Sequence, residues 1–148
     1  MTIKGKAYLV GAYEHPLRKA PNHSVAQLHA EIAKGCIEDA GLSRDDIDAY
    51  FCAGDAPGAN VWSMANYLNL TKLKHVESTD MGGTSYLVHV AHAAEAIALG
   101  KCNVALITLA GRPNSEGSSG TQVRSRGVNL PEAPPWKLKR PHHGPRCI

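Results

Sequence analysis

Hydrophobic and polar positions alternate along this chain between a strand-like and a helix-like period. Lys6-Ala7-Tyr8-Leu9-Val10-Gly11 is a short apolar run ended by glycine and predicts a first strand. A loop over residues 14–22 follows, with Pro16 and Pro21. Ser24, with Gln27 three residues on, has the form of a capping box. Val25, Leu28, Ile32 and Cys36 then recur at helical spacing, and Gly41 is a plausible stop. Ser43-Arg44-Asp45-Asp46 carries turn and capping chemistry. Residues 49–53 predict a second strand, closed by Gly54-Asp55-Ala56-Pro57-Gly58. Residues 60–68 predict a helix with Val61, Met64, Ala65 and Leu68 on one face, and 74–77 a short third strand.

The most informative stretch is 85–99, where 11 of 15 residues are apolar. Its polar residues, Ser85, His89, His92 and Glu95, fall within an arc of about 120° at about 100° per residue. That spacing predicts a nearly buried helix with one narrow polar stripe, ended by Gly100. Residues 103–109 are then a near-continuous apolar run, as expected of a buried parallel strand. The order β-α-β-α-β-α-β over residues 6–109 predicts an α/β class with a mostly parallel, layered sheet. Beyond Ala110 the periodicity stops. The expected organisation is an α/β domain over 1–110, a loop-rich segment over 111–135 and a tail over 136–148.

Composition narrows the function. The 148 residues are 43% hydrophobic and 20% charged, close to globular averages. No apolar run approaches the ~18–20 residues of a membrane span, and residues 1–5 lack a signal-peptide core, so a cytoplasmic protein without membrane attachment is expected. The net charge of +3 suggests affinity for nucleic acid until it is located. Lys137, Lys139, Arg140 and Arg146 lie in the acid-free stretch from Trp136 onward, leaving twelve basic against thirteen acidic residues over 1–135. The body is nearly neutral, and no nucleic-acid partner is expected. Cys36, Cys52, Cys102 and Cys147 show no metal or redox spacing and read as thiols packed like small hydrophobes.

Two candidate chemistries are weak. His89, His92 and Glu95 share a helix face, but the spacing of a zinc-hydrolase helix is missing, so a hydrogen-bonded or partner-facing stripe is expected and no metal. Gly117-Ser118-Ser119-Gly120 reads as a flexible loop rather than a phosphate cradle, although Arg124 and Arg126 nearby could meet an anion. The sharp feature is Ser78-Thr79-Asp80-Met81-Gly82-Gly83-Thr84-Ser85, which joins a short strand directly to the apolar helix. A residue there sits at a helix N-terminus, which favours negative charge and would activate a thiol. The position holds Asp80, whose plain reading is a helix cap, with Gly82 and Gly83 permitting close packing.

At this junction the chain resembles the N-terminal part of the thiolase superfamily, in the branch of sterol-carrier-protein thiolases and steroid aldolases. The match runs through Val76-Glu77-Ser78-Thr79-Asp80-Met81-Gly82-Gly83, the helix to Leu99, Gly100 and the strand to Leu109. Lys6 to Gly11, Asp39-Ala40-Gly41-Leu42 and Asp45-Asp46-Ile47-Asp48 also look like that family. The resemblance covers roughly residues 3–135. It implies acyl-CoA thioester substrates, with coenzyme A entering as part of the substrate and no other cofactor. It also implies a homodimer formed partly through the strand and helix around the junction, and a five-layered fold of two similar halves.

The family's acyl-accepting cysteine matches Asp80, and its remaining catalytic motifs belong to a C-terminal half with no counterpart here. The resemblance therefore implies a partial acyltransferase, inactive alone. Its alternatives are an aldolase-type carbon–carbon lyase working with a small OB-fold partner, or a non-catalytic dimerisation module. Gly82 and Gly83 would admit substrate, and Arg124 and Arg126 would meet the CoA phosphates. The tail from Pro135 keeps little of the family pattern, which suggests a truncated product with a frameshift near Pro134–Pro135.

Overall fold

A computed structural model describes residues 3–53, 56, 60–111 and 115. The chain divides into two compact units, Met1–Ser118 and Ser119–Ile148, and all described residues lie in the first. Helix α1 spans Val25–Asp39, a 3-10 turn Arg44–Asp46, β1 Ala49–Cys52, α2 Val61–Tyr67, β2 His75–Glu77, α3 Ser85–Ala98 and β3 Ala105–Thr108. The three strands form one parallel sheet in the order β2-β1-β3. The α/β class and the parallel sheet are as the periodicity predicts.

Local chemistry sets the boundaries. Ser24 Oγ accepts the Gln27 N–H at 3.0 Å and starts α1. The capping box is only half made there, because the Gln27 side chain turns to Glu31. Gly41 and Gly100, both at positive φ, end α1 and α3. The following residue's N–H reaches back to a carbonyl five residues earlier, Leu42 to Ile37 and Lys101 to Ala96. Both ends are Schellman motifs, which need the left-handed conformation glycine adopts freely. A full capping box forms instead at Ser43 and Asp46.

Helices α1 and α2 cover one face of the sheet and α3 the other. On the first face Ala33, Tyr50, Met64, Ala65 and Leu106 share a core. On the second, Ala49 and Phe51 meet Ala93 and Ala96. β1 is buried along its whole length. Asp48, just before it, ties three segments together. Its carboxylate accepts the N–H groups of Asn103 and Val104, each at 2.8 Å, and the Lys74 ammonium at 3.1 Å.

The structure corrects three expectations. Residues 6–11 pair with no strand among the described residues, and Tyr8, Leu9 and Val10 are 79%, 84% and 62% exposed. Residues 11–13 lie against α1 instead. A Cβ at Gly11 would stand 2.7 Å from the Cys36 carbonyl oxygen, and one at Gly35 would strike the Tyr13 ring at 2.5 Å. Ala12 N–H also donates to Asp39. Second, the 103–109 run forms a parallel strand but is not buried throughout: in β3 Ala105 and Ile107 are only partly buried. Third, α3 is turned over. Its polar Ser85 and His89 are fully buried, while Leu87 is 74% exposed and Leu99 also lies outside.

Candidate functional site

The turn between β2 and α3 is built by the buried polar residues of that helix. Ser85 Oγ accepts the Met81 N–H at 2.8 Å and donates to the Gly82 carbonyl at 2.7 Å. Thr84 Oγ1 donates to the Met81 carbonyl at 3.0 Å. His89, one turn further along α3, places Nε2 3.1 Å from the Thr79 carbonyl oxygen and 3.3 Å from its N–H. One nitrogen serves one of these groups at a time, according to its tautomer. In either case His89 holds the backbone directly before Asp80.

Burial holds the His89 imidazole below its ordinary pKa, outweighing the opposite pull of Thr79 and Glu77. Beneath the turn, Glu77 accepts from Thr79 Oγ1 at 2.7 Å and forms a short contact with His92 Nδ1. Burial raises Glu77, but its bonds to His92 and Thr79 prevail and leave it below the carboxylate range. The stripe read from the sequence therefore braces the turn. Glu95 stays exposed. Among the described residues no group of three or more His, Cys, Asp or Glu is arranged to hold a metal.

Asp80 is exposed at the tip of this turn, where its Oδ1 accepts the Gly82 N–H at 3.0 Å. It is therefore not the helix cap. Thr84 occupies that place without a side-chain cap bond. Close packing does not explain the glycines either. Gly82 takes φ +67°, and a Cβ on Gly82 or Gly83 would meet no atom within 4 Å. They leave the surface beside the Asp80 carboxylate uncovered. Arg124, Arg126, Cys147 and the 117–120 loop fall outside the described residues, as does most of the 54–58 turn.

A second polar feature had no sequence signal. Thr108 Oγ1 lies 2.7 Å from the Tyr50 hydroxyl and 2.8 Å from His29 Nδ1, all three buried. Burial pushes the Tyr50 hydroxyl far above its ordinary pKa despite the Thr108 bond. His29 is one residue off the apolar stripe of α1, so periodicity alone hides it. Cys52 and Cys102 are buried free thiols and Cys36 is partly buried. Burial raises Cys36 and Cys102, so neither is an activated nucleophile.

No protein-family model matches the sequence, and no curated protein does. Solved structures do. An Ltp2-ChsH2(DUF35) aldolase aligns with a TM-score of 0.58 and 25% identity, over 74% of this chain and 30% of its own. A 3-oxoacyl-[acyl-carrier-protein] synthase III from Aquifex aeolicus VF5 aligns with a TM-score of 0.52 and 14% identity, over 58% of this chain and 29% of its own. Both are thiolase-like folds, and this chain shares that fold over the matched part. The match spans under a third of either neighbour. Among the described residues no helix is long and apolar enough to cross a membrane.

Proposed function

We propose that this chain supplies the N-terminal portion of a thiolase-like site for CoA thioesters, and that the chemistry of the whole site is carbon–carbon bond cleavage rather than thiolysis. The observation that carries this reading is the exposed Asp80 carboxylate at the tip of the β2–α3 turn. By resemblance, that position belongs to the acyl-accepting cysteine. A carboxylate there cannot form the thioester that acyl transfer requires. A retro-aldol step needs no acyl-enzyme: the β-hydroxyl gives its proton to a base, the bond between the α and β carbons breaks, and the thioester enolate takes a proton. The likeness to an aldolase at 25% identity favours the same reading.

In this reading Gly82 and Gly83 leave room for the thioester beside Asp80. Arg124 and Arg126 meet the CoA phosphates. The whole protein is a homodimer joined partly through β2 and α3, acting with a small OB-fold partner in the cytoplasm. These 148 residues alone are inactive, because they do not contain the catalytic groups of the family's C-terminal half. Acyl transfer is the second reading, supported by the synthase III likeness in fold alone.

The test is to co-express the chain with the C-terminal portion of the aldolase neighbour and assay both reactions. Cleavage of a β-hydroxyacyl-CoA without thiolysis of a 3-ketoacyl-CoA is expected. Thiolysis with Asp80 intact would overturn the proposal. An Asp80→Cys variant that gains thiolysis would place the lost nucleophile at this position.

A further inference from the structure

Thr79, the residue that carries Asp80, is held at two points by different chemistry. At its side chain, Glu77 accepts the Oγ1–H at 2.7 Å and is itself in contact with His92. At its backbone a single imidazole nitrogen, His89 Nε2, lies 3.1 Å from the carbonyl oxygen and 3.3 Å from the amide nitrogen. The His89 side chain is fully buried against the rings of Phe51 and Tyr86, whose centroids are 5.9 and 5.8 Å away. Its other nitrogen, Nδ1, is buried and has no hydrogen-bond partner among the described residues.

That unpartnered nitrogen decides where the proton sits. A neutral imidazole has one N–H and one lone pair. A proton on Nδ1 would bury a donor with nothing to accept it. A proton on Nε2 is donated to the Thr79 carbonyl and leaves only a lone pair unmatched, and a buried orphan acceptor is tolerated better than an orphan donor. A second proton would bring back the orphan donor and add a charge to the same apolar place. The titratable groups facing His89 are Glu77 on β2 and Tyr86 and His92 on α3, while β1 presents the Phe51 ring, which His75 also meets. Glu77 draws a proton toward His89 but bonds to Thr79 and His92 instead, and burial outweighs its pull.

We propose that His89 is a positioning residue for the Asp80 carboxylate that acts only while neutral: its Nε2–H grips the Thr79 carbonyl, and uptake of a second proton drives the ring from its pocket and frees the turn. The latch is closed above the ordinary histidine range, near about pH 6.5. It opens as pH falls through the lowered His89 value, because only the unfolded or opened chain takes the proton freely. The Gly82 N–H, which donates to Asp80 Oδ1, reports the outcome at the carboxylate itself. The link to thioester chemistry rests on the thiolase-like reading above; the latch stands on the geometry of the turn alone.

Imidazole nitrogen shifts of the isotope-labelled 148-residue chain, followed by NMR from about pH 8 downward until the chain unfolds, test this. At neutral pH the proton should sit on Nε2 with Nδ1 bare. On acidification the Gly82 amide should move with the His89 midpoint while β1 is still folded, and its exchange should quicken by about tenfold or more over that of β1. His89→Gln keeps a donor but does not titrate, so it should hold the turn closed and abolish this response. His89→Phe keeps the ring packing without a donor and should leave Gly82 exchanging about tenfold faster at every pH. His92→Gln should retain the response, and its loss there would assign it to the Glu77 contact and overturn the proposal. So would a proton on Nδ1, a Gly82 amide that ignores the His89 titration, a response surviving in His89→Gln, or a His89 that stays neutral until the whole chain unfolds. Should either His89 variant fail to fold, the nitrogen shifts of the unaltered chain decide alone. A working latch in a co-expressed pair that cleaves no thioester would sink the function and spare the latch; cleavage with the His89 proton on Nδ1 would do the reverse.

Discussion

β1 and β3 lie side by side with similarly apolar sequences, yet they live in different environments. β1 is paired on both edges and buried on both faces. Among the described residues β3 is paired on one edge, and within it only Leu106 and Thr108 are fully buried. What separates them is the company each keeps, because Ala-Tyr-Phe-Cys and Ala-Leu-Ile-Thr are almost equally suited to a central strand.

The largest way to break the contrast is to remove what holds the finished side. Asp48→Ala leaves the Asn103 and Val104 N–H groups and Lys74 without their shared acceptor, and should cost about 2–4 kcal/mol in urea unfolding. Its pH dependence sharpens this. Burial raises the Asp48 carboxyl, but the bonds from Val104, Asn103 and Lys74 outweigh it and hold it below the ordinary range. A lowered carboxyl contributes stability in full above the ordinary aspartate range, near about pH 4. That contribution is lost as pH falls through the lowered value. Asp48→Asn should flatten this acid limb in a pH series of melting curves.

Next in size is Thr108→Val, which strips the shared partner from Tyr50 and His29 and should cost about 1–3 kcal/mol. Gly11→Ala follows. The new methyl group would meet the backbone oxygen of Cys36, so residues 11–13 should shift away from the end of α1 at about 1 kcal/mol. Amide exchange in β1 should stay unchanged. The smallest effect belongs to Leu9→Lys, within about 0.5 kcal/mol in the free chain because Leu9 touches so little. A loss well above that would contradict the exposed placement of Leu9.

Much of the finished side is legible in the sequence. Ser24, Gly41, Gly100 and the 49–52 and 75–77 runs set their elements through local chemistry that needs no tertiary context. The open side is not, for a physical reason. Tyr8-Leu9-Val10 and 103–109 are strand-like in pattern, but a strand forms only where a neighbour offers a ladder, and periodicity carries no information about neighbours. The reversal of α3 follows from the same limit. A polar stripe normally faces water, yet Ser85 and His89 have the β2–α3 turn's backbone to satisfy, so they go inside. The pattern places Asp80 at a turn, but α3 starts at Ser85 with Thr84 as its cap, so the helix begins too late for Asp80 to cap it. The Tyr50–Thr108–His29 contact joins residues up to 79 positions apart and leaves no local trace.

Residue-resolved amide exchange of the free 148-residue chain tests the central claim most directly. Protection across Tyr50, Phe51 and Cys52 should approach that of global unfolding, while the Ala105 and Ile107 amides, turned away from β1, should exchange on the scale of local opening. Equal, strong protection of both sets in a monomer would contradict the contrast between a β1 paired on both edges and a β3 paired on one.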